Sequence, residues 1–154
     1  MHGMSPAVLS DVCVMLANLD DARILSRRPV AISVARVLAW SWNPARLERC
    51  RRLLDEGQKA PPIHVNRYRL NGLTWYVVSD GRHRTVAAQE AGRARITAVV
   101  GSETDCHPER HRLDVAHGRL WQAMAEPGSF RLVVADLDTN VCAALLAVGV
   151  PMMT

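Results

Sequence analysis

The sequence predicts an α+β fold, a small mixed sheet with helices, to which an N-terminal helix and a C-terminal α/β extension are added. Two observations predict it. Short runs rich in β-branched residues are separated by strong turn residues, and stretches with apolar residues at helical spacing lie before and between those runs. At 154 residues the chain is long enough to bury a core. We expect three parts: a helical segment at 1–28, a core at 29–101, and an extension packed on that core at 102–154.

Two helices are predicted ahead of the main strands. Ser5-Pro6 is typical of a helix start, and apolar residues follow it at helical spacing: Val8, Leu9, Val12, Leu16 and Leu19. The second helix begins with Asn43 as N-cap and Pro44 in its first turn, and it ends at Gly57. Its apolar face contains Leu47, Cys50, Leu53 and Leu54, and its other face contains Arg46, Arg49, Arg51 and Arg52.

The next segment predicts a hairpin followed by a helix and a further strand. Pro61-Pro62 favours extended chain, and residues 63–68 alternate as a half-buried strand. Asn71-Gly72 is a strong hairpin turn that leads to a partner strand at 73–78. The helix after this strand is expected to run to Ala91 and end at Gly92, and residues 96–100 then form a strand.

The C-terminal extension carries weaker signals. Apolar residues within Glu109 to Glu126 fit a helix that Pro127-Gly128 would end. Residues 130–135 predict a strand, and Asp138 or Thr139 is expected to cap a short apolar helix through Leu146.

The most informative local feature is a basic turn between a strand and a helix. Gly81 is followed by Arg82, His83, Arg84 and Thr85 at the start of the predicted helix. The first N–H groups of a helix lack intrahelical partners and the helix dipole is positive there, so an anion is favoured. Arginine donors match phosphate oxygens, and glycine permits positive φ and close approach of the backbone. A phosphate site is therefore predicted, the alternative being a solvated basic turn.

The order of these motifs resembles the ParB/sulfiredoxin superfamily. The shared elements are Asn-Pro before a helix, Pro-Pro-Ile, a hairpin, Asp-Gly-x-His-Arg, Ala-Ala and a closing Ile-x-Ala-Val strand, and they cover roughly residues 29–101. The region is similar to the ParB N-terminal domain and to ParB-like nuclease domains. The resemblance implies that the central turn, residues 81–85, binds the phosphates of a nucleoside triphosphate, ATP or CTP, with Mg²⁺. No helix-turn-helix follows Gly101, so the resemblance does not extend to a full-length ParB.

Departures from each branch of the superfamily narrow the implied chemistry. ParB clamps carry Gly-Glu-Arg-Arg where this chain has Gly81-Arg82-His83-Arg84, so the acidic residue is missing. Sulfiredoxins carry a reactive cysteine at the position of Arg82. The free-serine kinases carry Asp-Gly-His-His-Arg, which differs only at Arg82, but they use a glutamate base near the first strand, and no acid occurs between Asp21 and Glu48 here.

Asp80 and His83 are the candidate catalytic residues. Asp80 is the nearest carboxylate that could hold Mg²⁺ or orient water, with Asp55 and Glu56 more distant, or it could hydrogen-bond its own turn. His83 is a candidate acid or base, but the role of phosphate donor is favoured, because two flanking arginines favour its neutral form.

The charge of the chain admits a nucleic-acid partner. The net charge of +4 comes from eighteen arginines and one lysine against fifteen acids. Arg46, Arg49 and Arg52 recur at i, i+3 and i+6 and could follow a DNA backbone, the alternative being a solvated helix face. No run of about 18 apolar residues predicts a membrane span, so a cytoplasmic protein is expected. Cys106, His107, His111 and His117 are possible zinc ligands, but Pro108 favours a helix start there and no second cysteine pair exists, so no metal site is predicted.

Together these features predict a ParB-like protein that binds nucleotide phosphates, is DNA-associated, and comes from a plasmid, phage or other mobile element. NTPase or nuclease activity is left open. Two alternatives remain: a small-molecule phosphotransfer enzyme resembling the free-serine kinases, and a non-catalytic, nucleotide-responsive binding module. A homodimer is also left open.

Overall fold

The computed structural model describes residues 3–153; residues 1, 2 and 154, and the side chain of Leu19 with the inward position predicted for it, lie outside the described part. The expected α+β fold is confirmed. Four α-helices occur in the described chain: α1 (Pro6–Leu16), α2 (Pro44–Asp55), α3 (Arg82–Glu90) and α4 (Thr139–Ala147). Its strands are β1 (Arg23–Ile24), β2 (Pro29–Ser33), β3 (Val37–Leu38), β4 (Ile63–Leu70), β5 (Leu73–Asp80), β6 (Arg95–Asp105), β7 (His111–Asp114), β8 (Arg119–Ala123) and β9 (Phe130–Val134).

The chain divides into two compact units, one of residues 19–104 and one that joins the segment before residue 19 to the segment after residue 104. The first unit contains a mixed sheet in the order β1-β6-β4-β5-β3, and β2 also pairs with β6. Strands β3 and β5 run parallel, whereas the β1–β6, β2–β6 and β4–β5 pairs are antiparallel. The buried core of this sheet consists of Ile32, Val37, Ala39, Ile63, Val65, Val78, Ala98 and Val100.

The local turn and cap signals form the elements that were predicted from them. The side chain of Asn43 accepts hydrogen bonds from the backbone N–H groups of Ala45 and Arg46, at 3.1 and 3.2 Å, which fixes the start of α2. Asn71 and Gly72 both have positive φ, 52° and 78°, as a two-residue hairpin between β4 and β5 requires. The hairpin and the strand-turn-helix order are therefore confirmed.

Helices α2 and α3 pack against each other in this unit, and an ion pair joins their exposed faces. Arg51 donates through Nε and Nη2 to the two carboxylate oxygens of Glu90, at 2.6 and 2.8 Å. Because α3 carries the basic turn and α2 carries the arginine stripe, this packing brings the two predicted binding features onto one side of the unit.

The second unit contains an antiparallel sheet in the order β7-β8-β9, and α1 packs against α4. Its fully buried side chains include Val12, Leu16, Leu113, Leu120 and Leu145. Ser5 caps α1 and Asp138 caps α4, each with a side-chain oxygen that accepts from a backbone N–H three residues later.

The helix predicted over residues 109–126 is wrong, because this segment forms the β7–β8 hairpin. Leu113 and Leu120 are directly opposite across the two strands and are fully buried, whereas the sequence-based prediction put them two helical turns apart. The chain reverses at Gly118, which has φ 61° and lies so close to Leu137 that a Cβ would be 2.8 Å from the Leu137 carbonyl oxygen. No helix can continue through that conformation.

Candidate functional site

A cleft of about 1300 Å³ lies within the unit of residues 19–104. Its walls come from α2, the segment that follows α2, the end of β5, the first turn of α3 and the start of β6. The volume exceeds the roughly 300–1,000 Å³ typical of small-molecule pockets, so the cleft has room for a nucleotide. Residues 81–84, at the amino end of α3, lie on the wall of this cleft.

The glycine at the start of α3 is fixed by close packing as well as by its backbone conformation. Gly81 is the N-cap residue and has φ 105°, in the region that L-residues with a Cβ rarely adopt. A Cβ at this position would lie 2.5 Å from Cγ2 of Ile63 and 2.9 Å from its Cβ. Ile63 is a fully buried core residue, so the turn lies directly against the core. The first N–H groups of α3 are thereby held in a defined position.

Helix α3 is also anchored on its inner side. The Thr85 hydroxyl donates to the carbonyl oxygen of Gly81 at 3.0 Å, and the side chain is fully buried. Gln89 donates through Nε2 to the carbonyl oxygen of Val37 at 3.1 Å. Thr85, predicted to bind the cofactor, thus lies on the inner face of the helix with its hydroxyl already bonded to the turn.

The cleft wall is strongly cationic. It contains seven basic side chains, Arg46, Arg49, Lys59, Arg82, Arg84, Arg93 and Arg95, and one carboxylate, Asp80. Arg46, Arg49, Lys59 and Arg93 form no ion pair with any residue in the described range. Cations without counter-ions on the wall of a cavity focus a positive potential there, which favours a polyanionic occupant.

Arg84 occupies the centre of the basic turn, but its donors are used within the chain. Nη1 donates to the carbonyl oxygens of Pro61 and Pro62, and Nη2 donates to Oδ2 of Asp80 at 3.0 Å. Asp80 itself has 70 % of its side-chain surface exposed. Arg84 therefore ties the first turn of α3 to the segment before β4, and it is paired with Asp80, the only carboxylate that residues 3–153 contribute to the cleft wall.

Arg82 lies within a small aromatic cluster. Its guanidinium carbon is 4.5 Å from the ring centroid of Trp40 and 5.1 Å from that of Trp42. Trp42 in turn contacts His83, with ring centroids 4.4 Å apart and ring planes tilted by 59°. These contacts are within cation–π and aromatic-pair distances, so the cluster orders the exposed end of the turn.

His83 is buried although it carries a polar ring. Burial lowers its pKa from the ordinary value of 6.5, and the positive charges of Arg46 and Arg82 lower the pKa further. The imidazole is therefore neutral near pH 7. Its Nε2 atom has no hydrogen-bond partner among residues 3–153, and His83 contributes to the cleft wall.

The predicted nucleic-acid stripe is only partly on the cleft. Arg46 and Arg49 line it, whereas Arg52 is exposed on the same helix outside the cleft wall. The sequence-based prediction did not include Lys59, Arg93 and Arg95, which reach the cleft from other segments, or Trp42. The two tryptophans at 40 and 42, immediately before the Asn43-Pro44 helix start, were a sequence signal that could have identified the aromatic cluster.

Two of the three candidate carboxylates lie away from the cleft. Asp55 and Glu56, the more distant carboxylates, do not line the cleft. Across the part of the chain that the structure describes, no group of three or more His, Cys, Asp or Glu side chains could hold a metal ion. Of the weighed zinc ligands, His111 is buried and donates through Nδ1 to the carbonyl oxygen of His107 at 2.6 Å.

No protein-family model matches this chain, and no curated protein matches it. No helix within residues 3–153 has both the length and the apolar composition needed to cross a membrane.

Proposed function

We propose that this protein is a ParB-like, nucleotide-binding protein that holds the phosphates of a nucleoside triphosphate in the cleft at the amino end of α3. One observation carries the proposal: seven basic side chains and a single carboxylate surround a cleft that also contains the first turn of a helix. A triphosphate is the anion that best matches this number of cations and the unpaired N–H groups of the turn.

The residues fit a nucleotide better than they fit a magnesium ion. The buried Nε2 atom of His83 has no hydrogen-bond partner among residues 3–153, which is a feature of a site that is completed by a ligand. Magnesium prefers carboxylate oxygens. Within the described part of the chain, Asp80 is the only carboxylate on the wall, and it is already paired with Arg84. We therefore assign the phosphates to protein donors and derive no step through a metal ion.

The environments of Asp80 and His83 favour a binding module over an enzyme. Phosphoryl transfer and hydrolysis need a group that orients or deprotonates the nucleophile. Asp80 is ion-paired with Arg84 and the ring of His83 is buried, so neither group is presented to a nucleophile while these contacts persist. Bound nucleotide should stay intact on incubation with Mg²⁺. Phosphate release that Asp80→Asn abolishes would favour the alternative, a phosphotransfer enzyme or an NTPase.

The proposed DNA association involves the same arginines. If Arg46, Arg49 and Arg52 follow a DNA backbone, two of the three also face the cleft. Nucleotide phosphates and DNA phosphates would then compete for Arg46 and Arg49, so nucleotide should weaken DNA retention. A protein of a plasmid, phage or other mobile element that binds DNA in a nucleotide-dependent way fits this arrangement.

Titration calorimetry with ATP and CTP tests the nucleotide proposal. Arg46→Gln and Arg49→Gln should each weaken binding by about tenfold or more, because each removes a charge-assisted hydrogen bond of about 1.5–3 kcal/mol. Arg52→Gln is the matched control, on the same helix but outside the cleft, and should change affinity less than twofold. Absence of binding by the wild-type protein, or equal losses in all three variants, would contradict the proposal.

A further inference from the structure

Trp42 combines exposure with a fixed position. The residue is 55 % exposed and contributes to the cleft wall. Two neighbours contact its indole. The guanidinium carbon of Arg82 is 5.1 Å from the ring centroid, and the centroid of the His83 ring is 4.4 Å from it. An exposed indole of this kind presents a flat π surface at little further cost in side-chain entropy, because its position is already fixed by two neighbours.

We propose that Trp42 stacks on the nucleobase of the bound nucleotide, so that the cleft selects a ligand with a flat ring as well as phosphates. This inference rests on the proposed function, since it adds a base subsite to the same cleft. Arg82 links the base subsite to the phosphate subsite. Its guanidinium lies over the Trp42 indole, and Arg82 is the first residue of α3. A ligand that meets both the ring and the helix start must carry an aromatic group and an anion in one molecule.

An independent observation also points to a ligand beside this ring. His83 is 7 % exposed, and its Nε2 has no hydrogen-bond partner within the described residues, although buried polar atoms are normally paired. This nitrogen belongs to the ring that Trp42 contacts. The polar edge of a nucleobase stacked on Trp42 is the type of group that would supply the missing partner.

A mononucleotide fits better than a single-stranded nucleic acid. Proteins that bind single strands without sequence preference present several aromatic rings, on which successive bases stack. Among the described residues, Trp42 is the tryptophan on this cleft wall and is 55 % exposed, whereas Trp40 is half-buried and does not line the cleft. One exposed ring next to a cluster of cations matches one base with its own phosphates.

Calorimetry with ATP, CTP and inorganic triphosphate separates the base subsite from the phosphate site. Wild-type protein should bind at least one nucleotide more tightly than inorganic triphosphate. Trp42→Ala should weaken nucleotide binding by about 5- to 150-fold, the range measured for removal of a base-stacking ring, and leave triphosphate binding unchanged. Trp42→Phe keeps an aromatic ring and should retain most of the affinity. Trp121→Phe is a control in the other unit.

Each other outcome is decisive. If Trp42→Ala binds nucleotide as wild type does, or loses nucleotide and triphosphate affinity equally, base stacking is refuted and the phosphate site stands. If wild-type protein binds neither ligand, the proposed function itself fails. If oligothymidylate binds in a Trp42-dependent manner and mononucleotides do not, the ring serves a single strand and the inference is overturned. Far-ultraviolet circular dichroism of each variant confirms folding, and Trp42→Phe tests the ring should Trp42→Ala not fold.

Discussion

Gly81→Ala should be unusually destabilising for a glycine at the surface of a turn. Two costs add at this position. The backbone has φ 105°, where a residue with a Cβ is disfavoured by about 1–2 kcal/mol. The new methyl group would also lie 2.5 Å from Cγ2 of Ile63, and overpacking of a tightly packed core costs about 1–3 kcal/mol. We expect a loss of about 2–5 kcal/mol in the free energy of unfolding.

Gly92→Ala is the matched control for this substitution. Gly92 follows the other end of α3, has φ 71°, and has open space where its Cβ would be. Both variants reduce the conformational freedom of the unfolded chain equally, so that contribution cancels in the comparison. The control should lose only about 1 kcal/mol, which is the cost of the backbone conformation. The difference between the two variants therefore measures mainly the contact with Ile63.

Urea denaturation provides the measurement, followed by tryptophan fluorescence because Trp40, Trp42 and Trp75 all lie in residues 19–104. A difference of less than about 0.5 kcal/mol between Gly81→Ala and Gly92→Ala would show that the turn does not pack on Ile63 as described, since overpacking alone should exceed that value. The argument that the core holds the first turn of α3 in a defined position would then fail as well.

Three further predictions concern the basic residues. Arg84→Ala should lower the free energy of unfolding, measured by urea denaturation, by about 2–3 kcal/mol. Most of this loss comes from the charged hydrogen bonds to the backbone carbonyls, and the exposed ion pair adds little. A loss near zero would mean that this arginine is not structural. The pKa of His83 is lowered in the folded chain, so the unfolded chain binds more protons below about pH 6.5. The free energy of unfolding should therefore fall as the pH decreases through that value. The fall should be less steep in His83→Asn. If DNA binds the helix stripe, changing Arg46, Arg49 and Arg52 together to glutamine should reduce the slope of log affinity against log salt by about two to three units, and absence of DNA retention at low salt would argue against the stripe.

Signals that act over a few residues predicted the structure well. The Asn43 cap, the Asn71-Gly72 hairpin and the turn at Gly81 depend on backbone geometry that one or two residue types favour strongly. The prediction over residues 109–126 was wrong for the opposite reason. A spacing of seven between Leu113 and Leu120 fits two helical turns, and it also fits two positions opposite each other in a hairpin. The spacing alone therefore does not distinguish the two structures.

The candidate site was predictable only in its central turn. Residues 80–85 are contiguous, so their position at the start of a helix followed from local sequence. The role of Arg84 did not, because its carbonyl partners at Pro61 and Pro62 are more than twenty positions away along the chain. Lys59 and Arg93 reach the cleft by tertiary packing, which leaves no local pattern in the sequence.

The distribution of paired charges is more informative than the net charge of +4. Three arginines away from the cleft share one carboxylate: Arg23, Arg67 and Arg69 surround the buried Glu103, whose pKa is lowered chiefly by the hydrogen bond from Arg67. The cations on the cleft wall come from α2, from the segment after it and from the chain before β6, and most have no such partner. Like charges brought together from separate elements repel one another, so the free chain keeps this arrangement at a cost to its stability. An anionic occupant removes that cost, which is why the placement of these cations, rather than their number in the sequence, supports a polyanion as the ligand.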